Sequence, residues 1–115
     1  MSKYLNNPTS DTLYHALVEI KTEDEGRQFL QDLCTASELK IMEQRMDIVM
    51  LLDEGMIYSD IQERTGTSSV TISRVSQCLR YGAGGYRTII SRLKERELGK
   101  ENKSPQAGAA FEGET

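Results

Sequence analysis

The sequence has few of the residues on which metal binding and covalent chemistry depend. Its 115 residues include two cysteines, one histidine and no tryptophan. Cys34 and Cys78 lack metal-ligand spacing, so a zinc site would need a carboxylate or a second subunit. A single histidine leaves little for general acid–base catalysis, and no Ser-His-Asp or Cys-His grouping is supported. We therefore expect reduced cysteines, no metal, no cofactor and no enzymatic activity.

Long apolar runs are also absent. No run of about 18 apolar residues exists, so no membrane span is expected. The first residues, MSKYLNNPTSDT, lack the apolar core of a signal peptide. These two absences predict a cytoplasmic protein.

Charge is distributed unevenly along the chain, whose net charge is −4. Residues 1–55 hold 5 basic against 11 acidic residues, whereas residues 56–98 hold 7 basic against 4 acidic residues. An acidic half followed by a basic half is expected where one face of a protein meets a polyanion.

Helix signals recur and persistent strand alternation is absent, which predicts an all-α fold. Thr22 with Glu25 and Thr35 with Glu38 fit capping boxes, and Gly55 ends the longest helical pattern. The expected helices begin after Ser10, Thr22 and Thr35, and the later ones cover 59–65, 69–81 and 86–98. We expect an N-terminal arm over 1–9, a helical domain over 10–98 and a disordered tail over 99–115.

The longest expected helix has a wide apolar surface. Two neighbouring stripes run along it: Leu39, Met42, Met46 and Val49 in one, and Ile41, Ile48 and Leu52 in the other. A stripe wider than about 100° indicates burial against more than one neighbour. In so short a chain a second subunit is a good candidate, and the first two helices are too small to form a core alone. The pattern favours an intertwined homodimer.

The stretch DIQERTGTSSVTISRVSQCL, residues 60–79, indicates two helices joined at Gly66. Glycine adopts left-handed backbone geometry at the least cost, as a tight connection between two helices requires. Ile61, Ile72 and Val75 would face inward, and Ser68 or Ser69 can cap the second helix. We therefore expect a helix-turn-helix over about residues 59–81.

The outer face of the second helix suits a nucleic-acid groove. On a helical wheel Val70, Ser73 and Gln77 point away from the core, with Arg74 beside them. Polar side chains of these types contact base edges and phosphates, valine suits a thymine methyl, and the helix N-terminus favours a phosphate. The alternative is a plain corner between two bundle helices, although the hydroxyl residues within 67–73 are poor helix formers for a scaffold.

Basic residues follow this helix. Arg80 and Arg87 flank the glycine-rich break YGAGGY, residues 81–86, and are candidate phosphate contacts. Arg92, Lys94 and Arg96 are either phosphate contacts or part of a solvated face. The GAGG segment lacks the strand–helix context of a nucleotide-binding loop and is interpreted as a linker.

The segments TGTSSVTISRVSQCLRYG and EQRMDIVMLLDEG resemble the Trp repressor family, and YGAGGY resembles its YerC/YecD-type branch. The resemblance covers roughly residues 37–93. It implies a Trp-repressor-like helical bundle, an intertwined homodimer that presents two recognition helices to a pseudo-palindromic operator in double-stranded DNA. We therefore expect a transcriptional regulator that acts as a repressor.

The resemblance also implies where a small effector would bind. In the tryptophan-sensing members, two arginines grip a ligand between the long helix and the recognition helix. These arginines correspond to Arg45 and Arg74, with Thr71 nearby. Val75 and Cys78 replace a glycine and a serine of those members, and the added valine side chain would cost on the order of 1–3 kcal/mol. The added side chain argues against tryptophan as the effector. Arg74 would contact either DNA or a ligand, and the sequence leaves both roles possible.

Two sets of site residues follow. The predicted DNA-binding set comprises Ser68, Ser69, Val70, Thr71, Ser73, Arg74, Gln77, Arg80 and Arg87. The predicted effector pocket comprises Arg45, Thr71, Arg74, Val75 and Cys78, for an effector that the sequence does not identify. An alternative function is a helical protein–protein interaction module that keeps the fold without binding DNA, which the net charge of −4 favours.

Overall fold

A computed structural model describes residues 10–103 of the protein, with side chains through residue 99. This range is helical and contains no strand, which confirms the all-α prediction. The helices are α1 Thr12–Leu17, α2 Glu23–Leu33, α3 Ala36–Asp53, α4 Tyr58–Thr65, α5 Ser69–Tyr81 and α6 Gly85–Lys103. None of these six helices is both long and apolar enough to cross a bilayer. The expected arm, 1–9, lies outside the described residues.

Two threonine caps begin α2 and α3, as the sequence predicts. At α3 the Glu38 N–H donates to Thr35 Oγ1 over 3.1 Å, and the Thr35 N–H donates to Glu38 Oε1 over 2.9 Å. At α2 the Glu25 N–H donates to Thr22 Oγ1 over 3.1 Å, whereas the Glu25 carboxylate accepts from Lys21 instead of from the capping residue. Both caps satisfy backbone donors that have no partner within the helix.

The first helix is shorter than its apolar pattern predicts. It ends at Leu17, whereas the pattern extends to Ile20. The Glu19 N–H donates to the Ala16 carbonyl and the Ile20 N–H to the Leu17 carbonyl, so the chain tightens into i to i+3 bonds and leaves the helix. Val18 at the C-cap is β-branched and adds little helix propensity.

Contacts divide the chain into two compact units, with the division inside α3 after Met42. In the N-terminal unit no residue from 10 to 42 is buried. Large apolar side chains are exposed there, including Leu33 at 52% and Leu13 at 40%. Ile41 and Met42, from the two stripes of the long helix, are exposed as well. Residues 10–42 therefore have apolar helix faces but form no core among themselves.

The C-terminal unit has a core of branched aliphatic side chains. The buried apolar residues are Ile48 and Val49 of α3, Ile61 of α4, Ile72 and Val75 of α5, and Ile90 of α6. Half-buried residues pack around them: Met46, Met50, Leu51, Leu52, Met56, Leu79 and Tyr86. The inward positions predicted for α4 and α5 are therefore confirmed.

The last helix begins one residue earlier and ends later than expected. It runs to Lys103 rather than to residue 98, because each further residue of an established helix adds a backbone hydrogen bond. The rest of the expected tail, residues 104–115, lies outside the described residues. Within α6, Lys94 Nζ lies 2.6 Å from Asp53 Oδ2 at the end of α3. Lys94 therefore has an ion-pair partner within the protein, whereas the sequence alone left either a phosphate contact or a solvated position.

The connection between α5 and α6 generates a stability prediction. A Cβ on Gly82 would overlap the carbonyl oxygen of Cys78, to which the Gly82 N–H donates over 3.0 Å. We expect Gly82→Ala to destabilise the protein by about 1–3 kcal/mol, because the backbone at the end of α5 must shift. For a domain of this size the thermal midpoint would fall by about 5–20 °C, measured by circular dichroism.

The matched control is Gly85→Ala. A Cβ on Gly85 meets no heavy atom within 4 Å, and alanine is the better helix former at the start of α6. The control should unfold at the same temperature as the parent or slightly above it. Equal thermal midpoints for the two variants would contradict the overlap at Gly82.

Candidate nucleic-acid interface

The turn between α4 and α5 is held by a left-handed glycine and two threonines. Gly66 has φ +74° and its N–H donates to the Gln62 carbonyl over 2.8 Å, as expected for a helix C-cap. Thr65 donates its hydroxyl to the Ile61 carbonyl over 2.7 Å. Since that hydroxyl has a single proton, the Thr67 hydroxyl, 2.8 Å away, donates to it. These bonds fix the direction in which α5 leaves the turn.

The N-terminus of α5 presents backbone amides to solvent. Ser68 is the N-cap, and its Oγ accepts the Thr71 N–H over 3.2 Å. The N–H groups of Ser69 and Val70 bond to no other described residue. The first turn carries no acidic residue that would compensate the positive end of the helix dipole. The start of α5 is therefore suited to an anion.

The two faces of α5 differ in burial and chemistry. Ile72, Val75 and Ser76 are buried, whereas the predicted outward residues are exposed, with Val70 at 61%. The exposed members of the predicted DNA-binding set are Ser68, Ser69, Val70, Ser73, Arg74, Gln77, Arg80 and Arg87, and Thr71 is half-buried. A contiguous surface on α5 thus combines hydroxyl, amide and apolar groups that can contact base edges.

The arginines around this surface are available for an anion. Arg74 and Arg80 of α5 and Arg87 of α6 form no hydrogen bond or ion pair with another described side chain. Arg80 lies in the last turn of α5, and Arg87 lies in the first turn of α6, where no acidic residue is present. Each guanidinium can neutralise a phosphate without first breaking an internal ion pair.

The residues predicted for an effector pocket differ in burial. Val75 is 4% exposed and packs in the core, Arg45 and Arg74 are exposed, and Thr71 is half-buried. A groove of about 450 Å³ contains Cys78 but none of the other four residues. Its other lining residues are Met46, Gly82, Ala83, Gly85, Tyr86 and Ile89. Among residues 10–99 no cluster of histidine, cysteine or carboxylate side chains could hold a metal ion.

Three features of the C-terminal unit were not predicted from the sequence. The Thr65–Thr67 hydroxyl bond was missed, although two threonines around a turn glycine could have suggested it. Ser76 was not assigned to the core, where it is 5% exposed. The ion pair of Lys94 with Asp53 joins residues far apart in the sequence, and no local pattern indicates it.

Comparison with known proteins is consistent with this arrangement. The protein-family model for the Trp repressor protein matches residues 9–94. The uncharacterised protein YerC of Bacillus subtilis (strain 168) is 38% identical over 93 residues, which are 81% of this chain and 89% of that protein.

Two solved structures share the fold. A TrpR-like protein from Eubacterium eligens is 36% identical with a TM-score of 0.73, over 81% of this chain and 96% of that one. A candidate Trp repressor from Staphylococcus aureus is 29% identical with a TM-score of 0.73, over 82% of this chain and 96% of that one. From the family match and the identity to YerC, the chain belongs to the Trp repressor family, a family of DNA-binding regulators.

Proposed function

We propose that this chain is a homodimeric, sequence-specific DNA-binding repressor of transcription. In this proposal α4, the turn at Gly66 and α5 form a helix-turn-helix, and α5 enters the major groove of double-stranded DNA. The observation that carries the proposal is the exposed face of α5, where Ser73 and Gln77 lie beside Val70. A face of this composition has no use in a core and has the donors and acceptors that read base edges.

Phosphate contacts would hold α5 in register on the duplex. The unpaired N–H groups of Ser69 and Val70 supply one anion site, and Arg80 and Arg87 supply two cations. Such contacts position a protein without reading sequence, so they complement the side chains of the outer face. The excess of 7 basic over 4 acidic residues in 56–98 attracts the same polyanion.

The homodimer is supported by the apolar surface of the N-terminal unit. Leu13 and Leu17 of α1, Leu33 of α2 and Ile41 of α3 are exposed, and none of the described residues 10–42 is buried. A second copy would cover this surface and would present a second α5 to the DNA. Two recognition helices related by a two-fold axis fit half-sites about 34 Å apart, one turn of the duplex.

Tryptophan is not part of the proposal. The Val75 side chain packs with the core residues at 4% exposure, so space for an indole ring beside it would require repacking. Arg74 is exposed and unpaired, which supports its use at the DNA backbone or a base.

The first prediction concerns sequence preference. Ser73→Ala and Gln77→Ala should each weaken binding to the selected operator by about 1–3 kcal/mol, because a base contact is lost. Binding to unrelated DNA should change little. The operator is obtained by selection from random duplexes, and affinities are measured by fluorescence anisotropy.

The matched controls are Gln28→Ala on α2 and Ser91→Ala on α6. They remove side chains of the same two residue types from exposed positions on other helices. Both should retain the operator preference. If Ser73→Ala and Gln77→Ala also retain it, α5 does not read the groove.

The second prediction concerns salt. Each of Arg80→Gln and Arg87→Gln should reduce the slope of log affinity against log salt by about 0.9, because one phosphate contact is lost. Arg27→Gln on α2 should leave the slope unchanged, since Arg27 already lies 3.5 Å from Asp24. If the parent protein does not bind DNA even at low salt, the interaction-module alternative is favoured instead.

The third prediction concerns association. Leu13→Glu and Leu17→Glu should raise the dissociation constant of the dimer at least about tenfold, because each copy loses buried apolar area and gains a charge there. Sedimentation equilibrium measures this shift. His15→Glu is the matched control, since residue 15 lies on the opposite side of α1 from residues 13 and 17. A parent that sediments as a monomer at high concentration would refute the dimer.

A further inference from the structure

One ion pair joins the end of α3 to the middle of α6. Lys94 Nζ lies 2.6 Å from Asp53 Oδ2, and the Asp53 side chain is only 20% exposed. Asp53 Oδ2 is itself buried, and Lys94 is the one partner that this oxygen has among the described residues. Because a buried carboxylate oxygen without a partner is costly, the folded chain favours the paired arrangement.

The position of Asp53 indicates a role in this pair rather than in α3 itself. Asp53 is the last residue of α3, and the last turn of that helix contains no basic residue. A carboxylate at a helix C-terminus is unfavourable, because it lies at the negative end of the helix dipole. Lys94 supplies from α6 the cation that the end of α3 lacks. The pair therefore compensates the end of one helix and holds a second helix against it.

The hydrophobic core holds α6 near its start. Ile90 is the one buried residue between 85 and 99, and Tyr86 packs half-buried against the same core. Both residues lie in the first two turns of α6. A helix held by one buried side chain near its end can rotate about its axis and swing about that point. Lys94 lies one turn beyond Ile90, so its ion pair with Asp53 restrains both movements.

Arg87 shares a face of α6 with Lys94. The two residues are seven positions apart, which is within about 20° of two full turns. Arg87 is exposed and forms no ion pair with another described residue. A rotation of α6 that separates Lys94 from Asp53 would move Arg87 through the same angle. The ion pair thus sets where Arg87 lies relative to α5.

We propose that Asp53 and Lys94 are positioning residues, whose ion pair fixes the rotation of α6 and holds Arg87 where it contacts a DNA phosphate. This role rests on the proposed function, which assigns that contact to Arg87. Neither Asp53 nor Lys94 needs to touch DNA. Overall charge predicts the opposite effect for Asp53, since the loss of a negative charge by itself strengthens binding to a polyanion.

The test uses Asp53→Ala in the full chain. Affinity for the selected operator duplex is measured by fluorescence anisotropy over a range of salt concentrations. Binding should be weaker than in the parent, and the slope of log affinity against log salt should fall toward that of Arg87→Gln, about 0.9 below the parent. The matched control, Glu54→Ala, removes the same charge from the next residue, which is exposed, and should not weaken binding. Unchanged or tighter binding by Asp53→Ala would overturn the proposal.

Two combined variants separate positioning from stability. In an Arg87→Gln background, Asp53→Ala should not change the slope further, because the residue that the pair positions is already absent. The charge-swapped protein, Asp53→Lys with Lys94→Asp, should recover the parent slope, because the pair is restored with its signs exchanged. Circular dichroism checks that each variant is folded at the temperature of the titration. Additive slopes in the first combination, or no recovery in the second, would contradict the positioning role.

The same series distinguishes failure of the positioning role from failure of the proposed function. If the parent does not bind DNA, or if Arg87→Gln leaves the slope unchanged, the phosphate contact itself is absent and both proposals fail at Arg87. If Arg87→Gln lowers the slope and Asp53→Ala does not, only the positioning role fails.

Discussion

Six buried β-branched side chains hold together the C-terminal unit, and the candidate interface depends on them. All six are isoleucine or valine, and they come from four successive helices. Each is worth about 1.5–3 kcal/mol on burial, and restricted χ1 freedom lets each hold its neighbours in one arrangement. Ile61 and Ile72 anchor α4 and α5 in this core, and the hydrogen bonds of Gly66 and Thr65 complete the turn between the two helices. With so few core residues, the unit has little stability in reserve.

The two sides of the helix α5 differ in burial and in chemistry. Ile72 and Val75 belong to the core, whereas Ser73 and Gln77 face solvent. Val75 fills core space at 4% exposure, at the position where the resemblance implies a glycine in tryptophan-sensing members. Cys78 lines an apolar groove rather than a polar pocket, which accords with the same difference.

Much of this structure could be predicted from the sequence because its signals are local. Thr35 with Glu38 marks the start of α3, Gly66 marks a left-handed turn, and the spacing of Ile72 and Val75 identifies the inner face of α5. Features that depend on distant residues could not be predicted in this way. The partner of Lys94, for example, is set by how α6 lies against α3. The exposure of Leu33 does not follow from spacing alone either, because it depends on which surfaces the folded chain leaves uncovered.

The separation of the two faces of α5 has a consequence for how such proteins diverge. Positions 70, 73 and 77 can change without disturbing a core contact, because their side chains contact solvent and the core is filled from positions 72 and 75. In the proposed function, substitutions at these positions would give new target sites in small steps, each of which leaves a folded protein for selection to act on. The core would then be inherited intact while the DNA sites that the proposed function assigns to the outer face are replaced.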